Sequence, residues 1–279
     1  MKKFSIWSMA MVVMLSAGMM SCSEEKDEPK DEPIVPVEGE DFDIFEEISF
    51  DEMVFVKGGT FKMGATEEQG TEDPWDDEYP VHDVTLSDFY IGKYEVTQEL
   101  WEYVMGYNPS FYEREKEKEK LPVNNVTWLD CVDFIANLNK LTGKNFDIPT
   151  EAEWEYAARG GAKSKGYKYA GSNNIDEVAW YKNNSDLNLK RVGLKIPNEL
   201  GLYDMSGNAL EWCSDWYDEN YYSTSPSVNP TGPATGEEVV CRGGTYTYSA
   251  RSCRITIRDC EYVDLGVVNM GFRLVCRSK

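Results

Sequence analysis

GLYDMSGNALEWCSDWY, Gly201–Tyr217, packs two Trp, two Gly, two Asp, one Asn, one Glu and one Cys into one short stretch with no helical or strand period. Asp204, Gly207, Asn208 and Glu211 put carboxylate and amide oxygens around a glycine-centred turn. Calcium takes six to eight such oxygens, backbone carbonyls included. The alternative is a turn in which Asp204 and Asn208 bond their own backbone while Trp212 and Trp216 fill core. Residue types alone favour the turn, because the alternating acidic ladder of an EF-hand is missing.

The segments around this stretch carry clear helix and strand signals. Thr97 is a candidate N-cap for a helix from Gln98 to about Met105, ended by Gly106. Thr127 opens a second helix to about Leu141, stopped by Gly143, with Trp128, Cys131, Phe134, Ile135 and Leu138 on one face. Thr150-Glu151-Ala152-Glu153 is a capping box for a third, running to Arg159. Met53–Lys57, Gly58-Gly59 and Thr60–Met63 read as strand, turn, strand, a β-hairpin. Val239–Arg242, Gly243-Gly244 and Thr245–Tyr248 suggest a second turn between strands. Arg254–Arg258 and Gly271–Cys276 suggest two more strands, the last closing the domain. His82, the only histidine, reads as a structural hydrogen-bonder. The alternating charges of Glu113–Lys120 read as a solvated helix or loop.

The N-terminal part has a different composition. Met1–Lys3 is a basic start, Phe4–Met20 an apolar run, and Ser21-Cys22 a small residue before a cysteine: a signal peptide, read as a lipoprotein signal with Cys22 as the acylated first residue. Met19 stands where leucine is usual, which leaves plain cleavage or an uncleaved anchor as alternatives. Ser23–Glu47 then carries twelve acidic residues against two lysines, the composition of a solvated tether. The organisation expected is therefore a signal at 1–21, an acidic tether at 22–50 and a folded domain at 51–279. Acidic residues just after Cys22 resemble surface-export signals of bacterial lipoproteins. The expected location is the outer membrane, surface-facing, with the periplasm as the alternative and the membrane reached through lipid on Cys22.

A formal net charge of −22 argues against nucleic acid as a partner and toward basic partners or cations. Besides Cys22 there are six cysteines, Cys131, Cys213, Cys241, Cys253, Cys260 and Cys276, with no zinc-type spacing. Export makes disulfides possible, and sequence cannot choose among the pairings. One histidine excludes a three-histidine metal site and argues against a serine triad. Asp215 or Glu211 with another carboxylate could in principle serve a hydrolase.

FVKGGTFKMG (Phe55–Gly64), FYIGKYEVTQELW (Phe89–Trp101), PTEAEWEYAARGG (Pro149–Gly161), PNELGLYDMSGNALEW (Pro197–Trp212), RGGTY (Arg242–Tyr246) and GFRLV (Gly271–Val275) together resemble the sulfatase-modifying-factor family, founded on the formylglycine-generating enzymes. The resemblance covers nearly everything from Asp51 onward. It implies an α+β fold related to C-type lectins, with about three helices, short twisted sheets and much ordered loop. It also implies calcium held by Asp204 and by the backbone carbonyls of Met205, Gly207 and Ala209, with Asn208 and Glu211 as orienting groups. A second calcium near Asn184 is not expected, because the acidic loop that would follow it is shortened.

The family's aerobic enzymes oxidise a cysteine of a client sulfatase, using Cu(I) held by two cysteines five residues apart, and soft thiolates suit that ion. Here the second position is Cys253, and the first is Tyr248. The polar pair that follows the first cysteine is replaced by Ser249 and Ala250, and the serine after the glycines by Thr245. Cys253 is then a copper ligand, a buried thiol, or half of a disulfide whose first candidate partner is Cys213. The expectation is a non-oxidising, calcium-stabilised module binding a protein or glycan at the envelope, with Tyr221 and Tyr222 read as exposed aromatics or as core edge. The alternative is a copper-dependent oxidase, with Cys253 catalytic, that acts on an exported sulfatase.

Overall fold

Three threonines set the helices. In the computed structural model, which describes residues 52–70, 75–111 and 120–277, Thr97 Oγ1 accepts the Leu100 N–H at the start of α1, Gln98–Met105. Thr127 and Asp130 form a reciprocal capping box on α2, Trp128–Thr142, and Thr150 and Glu153 form another on α3, Glu151–Ala158. Gly106 and Gly143 end α1 and α2 in the left-handed conformation that glycine adopts without a Cβ penalty. A fourth short helix, α4, spans Ile175–Val178. The signal, the tether and Cys22, and residues 113–119 of the charged run, lie outside the described residues.

Among the described residues ten short strands make three sheets. In chain order they are β1 Met53–Val56, β2 Gly59–Met63, β3 His82–Leu86, β4 Phe89–Gly92, β5 Phe146–Asp147, β6 Leu210–Trp216, β7 Glu238–Arg242, β8 Asp259–Tyr262, β9 Met270–Gly271 and β10 Val275–Arg277. The sheet orders are β1-β4-β10-β5, β2-β3 and β8-β7-β6-β9. β10, the last described strand, pairs antiparallel with β4, so the segment Gly271–Cys276 closes this sheet as expected.

The hairpin expected at Gly58-Gly59 does not form. β1 pairs with β4 and β2 with β3, so the glycine pair carries the chain from one sheet to another. A Cβ on Gly58 would lie 2.3 Å from the Leu86 carbonyl oxygen, and the Gly58 N–H donates to Asp88 Oδ1 at 2.8 Å. Glycine is needed there for close approach rather than for a hairpin turn. The expected strand after Gly243-Gly244 is also absent. Both glycines have positive φ, and the chain turns instead into a 3₁₀ segment at Ala250–Cys253. Arg254–Arg258 is turn, with β8 beginning one residue later, and Gly271–Cys276 divides between β9 and β10.

α3 is buried on every side although it carries three glutamates. Burying a carboxylate is tolerable only with a partner that restores its lost hydration. Glu151 meets Arg258 at 2.7 Å, Glu155 meets Arg159 at 2.9 Å and also contacts Arg242, and Glu153 meets Arg277 at 2.7 Å. Glu78 likewise pairs with Arg254 at 2.7 Å. Apolar packing surrounds this ionic lattice. Trp101 stacks on Phe134 at 5.0 Å, both buried with Trp212, Cys131 and Phe272. Trp154, Val240 and Cys213 fill the other side. Of the two readings of Tyr222, exposed or core edge, the structure shows core: its hydroxyl reaches Glu151 and its ring lies under Arg258.

Candidate functional site

The second half of the Gly201–Tyr217 stretch is strand β6, which removes Glu211 from the turn. Glu211 takes a bidentate bond from Arg273 and the indole N–H of Trp154 at 2.7 Å, all fully buried. Asp215, four residues further along, accepts the Glu151 N–H at 2.9 Å and the Ser214 hydroxyl at 3.1 Å. Burial and the nearby Glu151 push its carboxyl up to about 8. Both acids are committed to internal bonds, which leaves the hydrolase alternative without a free carboxylate pair.

The turn itself is as the sequence suggests. Asp204, Gly207 and Asn208 have φ of 58°, 79° and 63°, and a Cβ on Gly207 would sit 2.2 Å from the Trp180 carbonyl oxygen. Asn208 binds three neighbouring segments. Its side chain accepts the Lys190 N–H at 3.0 Å and donates to Glu95 at 2.8 Å, and its carbonyl accepts from Tyr246 and Thr245. Asp204 takes the Gly193 N–H on Oδ2 at 2.8 Å, while its other oxygen is buried with no partner.

Glu95 was not among the expected site residues. It lies between Tyr94 and Val96, 2% exposed, and accepts the Ala209 N–H at 2.8 Å. A single acid inside an apolar run ahead of a helix was the available signal, since charged residues are rarely buried without a partner. Burial raises its carboxyl well above the usual range, and Asp204 and Glu211 add to the effect. Burial pushes Asp204 to about 6, against the opposing pull of the Gly193 N–H and Arg273. The unpartnered Asp204 Oδ1, beside a second buried carboxyl, is the kind of hard oxygen that calcium takes. A cavity of about 590 Å³ lined by Glu95, Gly193, Tyr94 and Arg191 adjoins this corner. Among the described residues no group of three or more His, Cys, Asp or Glu side chains is placed to hold a metal, so a cation here depends on backbone carbonyls such as those of Met205, Gly207 and Ala209. Asn184 caps its own turn through the Tyr181 N–H and the Ala179 carbonyl.

The Tyr248–Cys253 segment has different surroundings. Cys253 is fully buried with Tyr169, Ile175, Val178, Ala179 and Tyr181, and Tyr248 and Ala250 pack against the group. Burial pushes its thiol up to about 12, so it is a neutral thiol near pH 7. The Tyr248 hydroxyl donates to Asp259 Oδ2 at 3.1 Å, and burial and Asp259 both raise its pKa. A Cβ on Gly244 would lie 2.9 Å from Cys253 Sγ, so glycine lets the turn close over the thiol. One protonated thiol and one phenol in an apolar pocket do not fit Cu(I). Of the readings of Cys253, the disulfide with Cys213 is not formed and the buried thiol is what the structure shows: all six described cysteines are free, and Cys213 packs in a different part of the core, with Val240 and Met205.

These features define a class of protein: an α+β fold in which a glycine-rich loop feeds a central strand beside two buried acids. A family model described as "Sulfatase-modifying factor enzyme 1-like domain" matches residues 38–278, and the chain belongs to that family. It is 40% identical over 217 residues to the chaperone protein LppX of Paenibacillus barcinonensis, covering 60% of this chain and 72% of the relative. It is 37% identical over 169 residues to the formylglycine-generating enzyme of Streptomyces coelicolor, covering 54% of this chain and 51% of that enzyme. Among solved structures, Treponema denticola variable protein 1 superposes with a TM-score of 0.72 at 31% identity, covering 81% of this chain and 95% of that one. PvdO from Pseudomonas aeruginosa superposes with a TM-score of 0.69 at 26% identity, covering 81% and 94%.

Proposed function

We propose that this chain is a non-oxidising member of the family, a calcium-stabilised binding or structural module carried at the cell envelope by lipid on Cys22. The observation that carries this reading is Tyr248, hydrogen-bonded to Asp259 where the oxidases place a copper-binding cysteine. The apolar surroundings of Cys253 support it, because a thiol held neutral by burial is neither a ready ligand nor a ready nucleophile. Similarity to a chaperone protein supports a role in binding other proteins. Calcium would be held by Asp204 with the carbonyls of Met205, Gly207 and Ala209. Its charge would relieve the crowding of Asp204 and Glu95.

The test is copper affinity and oxygen-dependent oxidation of a peptide carrying Cys-x-Pro-x-Arg, with Cys253→Ser as control. The expected result is weak copper binding and no turnover, in a protein that melts higher with calcium. Turnover that requires Cys253 would establish the alternative, an oxidase acting on a sulfatase.

A further inference from the structure

Leu129 and Val132 lie on the outer side of α2, Tyr262 ends β8, and Leu265 and Val268 follow it at three-residue spacing in the connection to β9. All five are between 37% and 50% exposed. The Leu129 N–H donates to the Val263 carbonyl and the Asn125 N–H to the Val267 carbonyl, so the two segments form one surface. Beneath it Trp128, Val263 and Val267 pack on the buried core, which holds the exposed side chains on a fixed base. Single exposed apolar residues are ordinary, whereas a supported group of five marks an interaction surface.

Its charge is of one sign. Asp133 and Asp264 are exposed and Glu261 half-buried along it, while Asp130 is taken up in the α2 cap and Asp259 by Tyr248, and neither 121–139 nor 259–272 contains a lysine or arginine. The geometry points to this face as the docking surface for a partner protein segment that is apolar and basic, such as an amphipathic helix with leucines on one side and lysines or arginines beside them. Aliphatic side chains would cover Leu129, Val132 and Leu265, and cations would meet the acidic rim, which sets orientation and rejects acidic competitors. Like charge opposes two other occupants. A second copy would bring the same acidic rim against itself, and the chain's own 23–47 segment carries twelve acids against two lysines. This deepens the binding-module reading by naming a face and a class of partner.

The test measures binding of a short labelled peptide built only of Leu and Lys in amphipathic register, and of its Leu/Glu counterpart, to the full chain at physiological ionic strength. Wild type should prefer the Leu/Lys peptide. Leu129→Ser with Leu265→Ser should weaken that binding about tenfold, and Asp133→Lys with Asp264→Lys should shift preference toward the Leu/Glu peptide. Exposed positions tolerate these changes, so melting temperatures should match wild type. Unchanged binding in both variants would mean generic attraction to an acidic chain and would overturn the proposal, as would a wild type with no preference between the peptides. Self-association that the Leu129→Ser, Leu265→Ser pair abolishes would also overturn it, by assigning the face to a second copy. Copper plays no part in this assay, so its failure is distinguishable from failure of the non-oxidising reading.

Discussion

Tyr248 donates its hydroxyl to Asp259 Oδ2 at 3.1 Å, and the bond ties the loop after the Gly243-Gly244 pair to the edge strand β8. Tyr248→Phe removes the donor and leaves Asp259, whose carboxyl burial already raises, without that bond. The expected loss is about 1–2 kcal/mol by urea denaturation. Tyr248→Cys should instead bring a second thiol near Cys253 and strengthen Cu(I) binding at least about tenfold in competition with a colorimetric chelator. No gain would show that the apolar packing around Cys253, and not Tyr248 alone, closes the pocket.

Glu211 and Arg273 are both fully buried and bonded to each other. Glu211→Gln leaves Arg273 charged and without its counter-ion, at an expected cost of about 3–5 kcal/mol. Glu211→Gln combined with Arg273→Met should recover part of that loss. A double variant as unstable as the single one would mean that the carboxylate's bond to the Trp154 indole dominates.

Asp215 holds its proton in the fold up to about pH 8 because of burial and Glu151, whereas an unfolded aspartate loses it near pH 4. The folded state therefore binds the extra proton between these values. Asp215's contribution is greatest at low pH and is lost as pH rises through 8, at a slope of at most about 1.4 kcal/mol per pH unit. Asp215→Asn should flatten the stability profile across that window and exceed wild type above it. Parallel profiles for the two proteins would refute the assignment.

Asp204 titrates near 6 in the fold, above its unfolded value, so in the metal-free protein its contribution also falls as pH rises through 6. A bound cation favours the charged form. Calcium should therefore raise the melting temperature more at pH 7.5 than at pH 5, and Asp204→Asn should largely abolish the increment. Glu95→Gln should reduce it too, since Glu95 positions Ala209 and Asn208. An equal calcium effect in Asp204→Asn would place the ion elsewhere.

The three long helices were legible in sequence because their signals are local. A threonine cap, an acid three residues on and a terminal glycine act within one or two turns, so Thr97, Thr127 and Thr150 marked their helices to within a residue or two. The Gly201–Asn208 turn was legible for the same reason, and Tyr248 was legible from its place just after the Gly243-Gly244 pair. The Gly58-Gly59 hairpin misled because two glycines also serve a close crossing, and only the distant Leu86 and Asp88 distinguish the two uses.

Sequence by itself determined the family, the helix limits, the acidic balance and the presence of Tyr248 five residues before Cys253. Tertiary structure decided which strands pair, that Glu95 lies beside the loop of Asp204 more than a hundred residues away, and that Tyr222 is core rather than surface. It also decided which arginine neutralises each glutamate of α3. The physical reason is range. Caps and turns are satisfied by bonds a few residues apart, whereas a buried charge must find a partner that only the folded chain brings within reach.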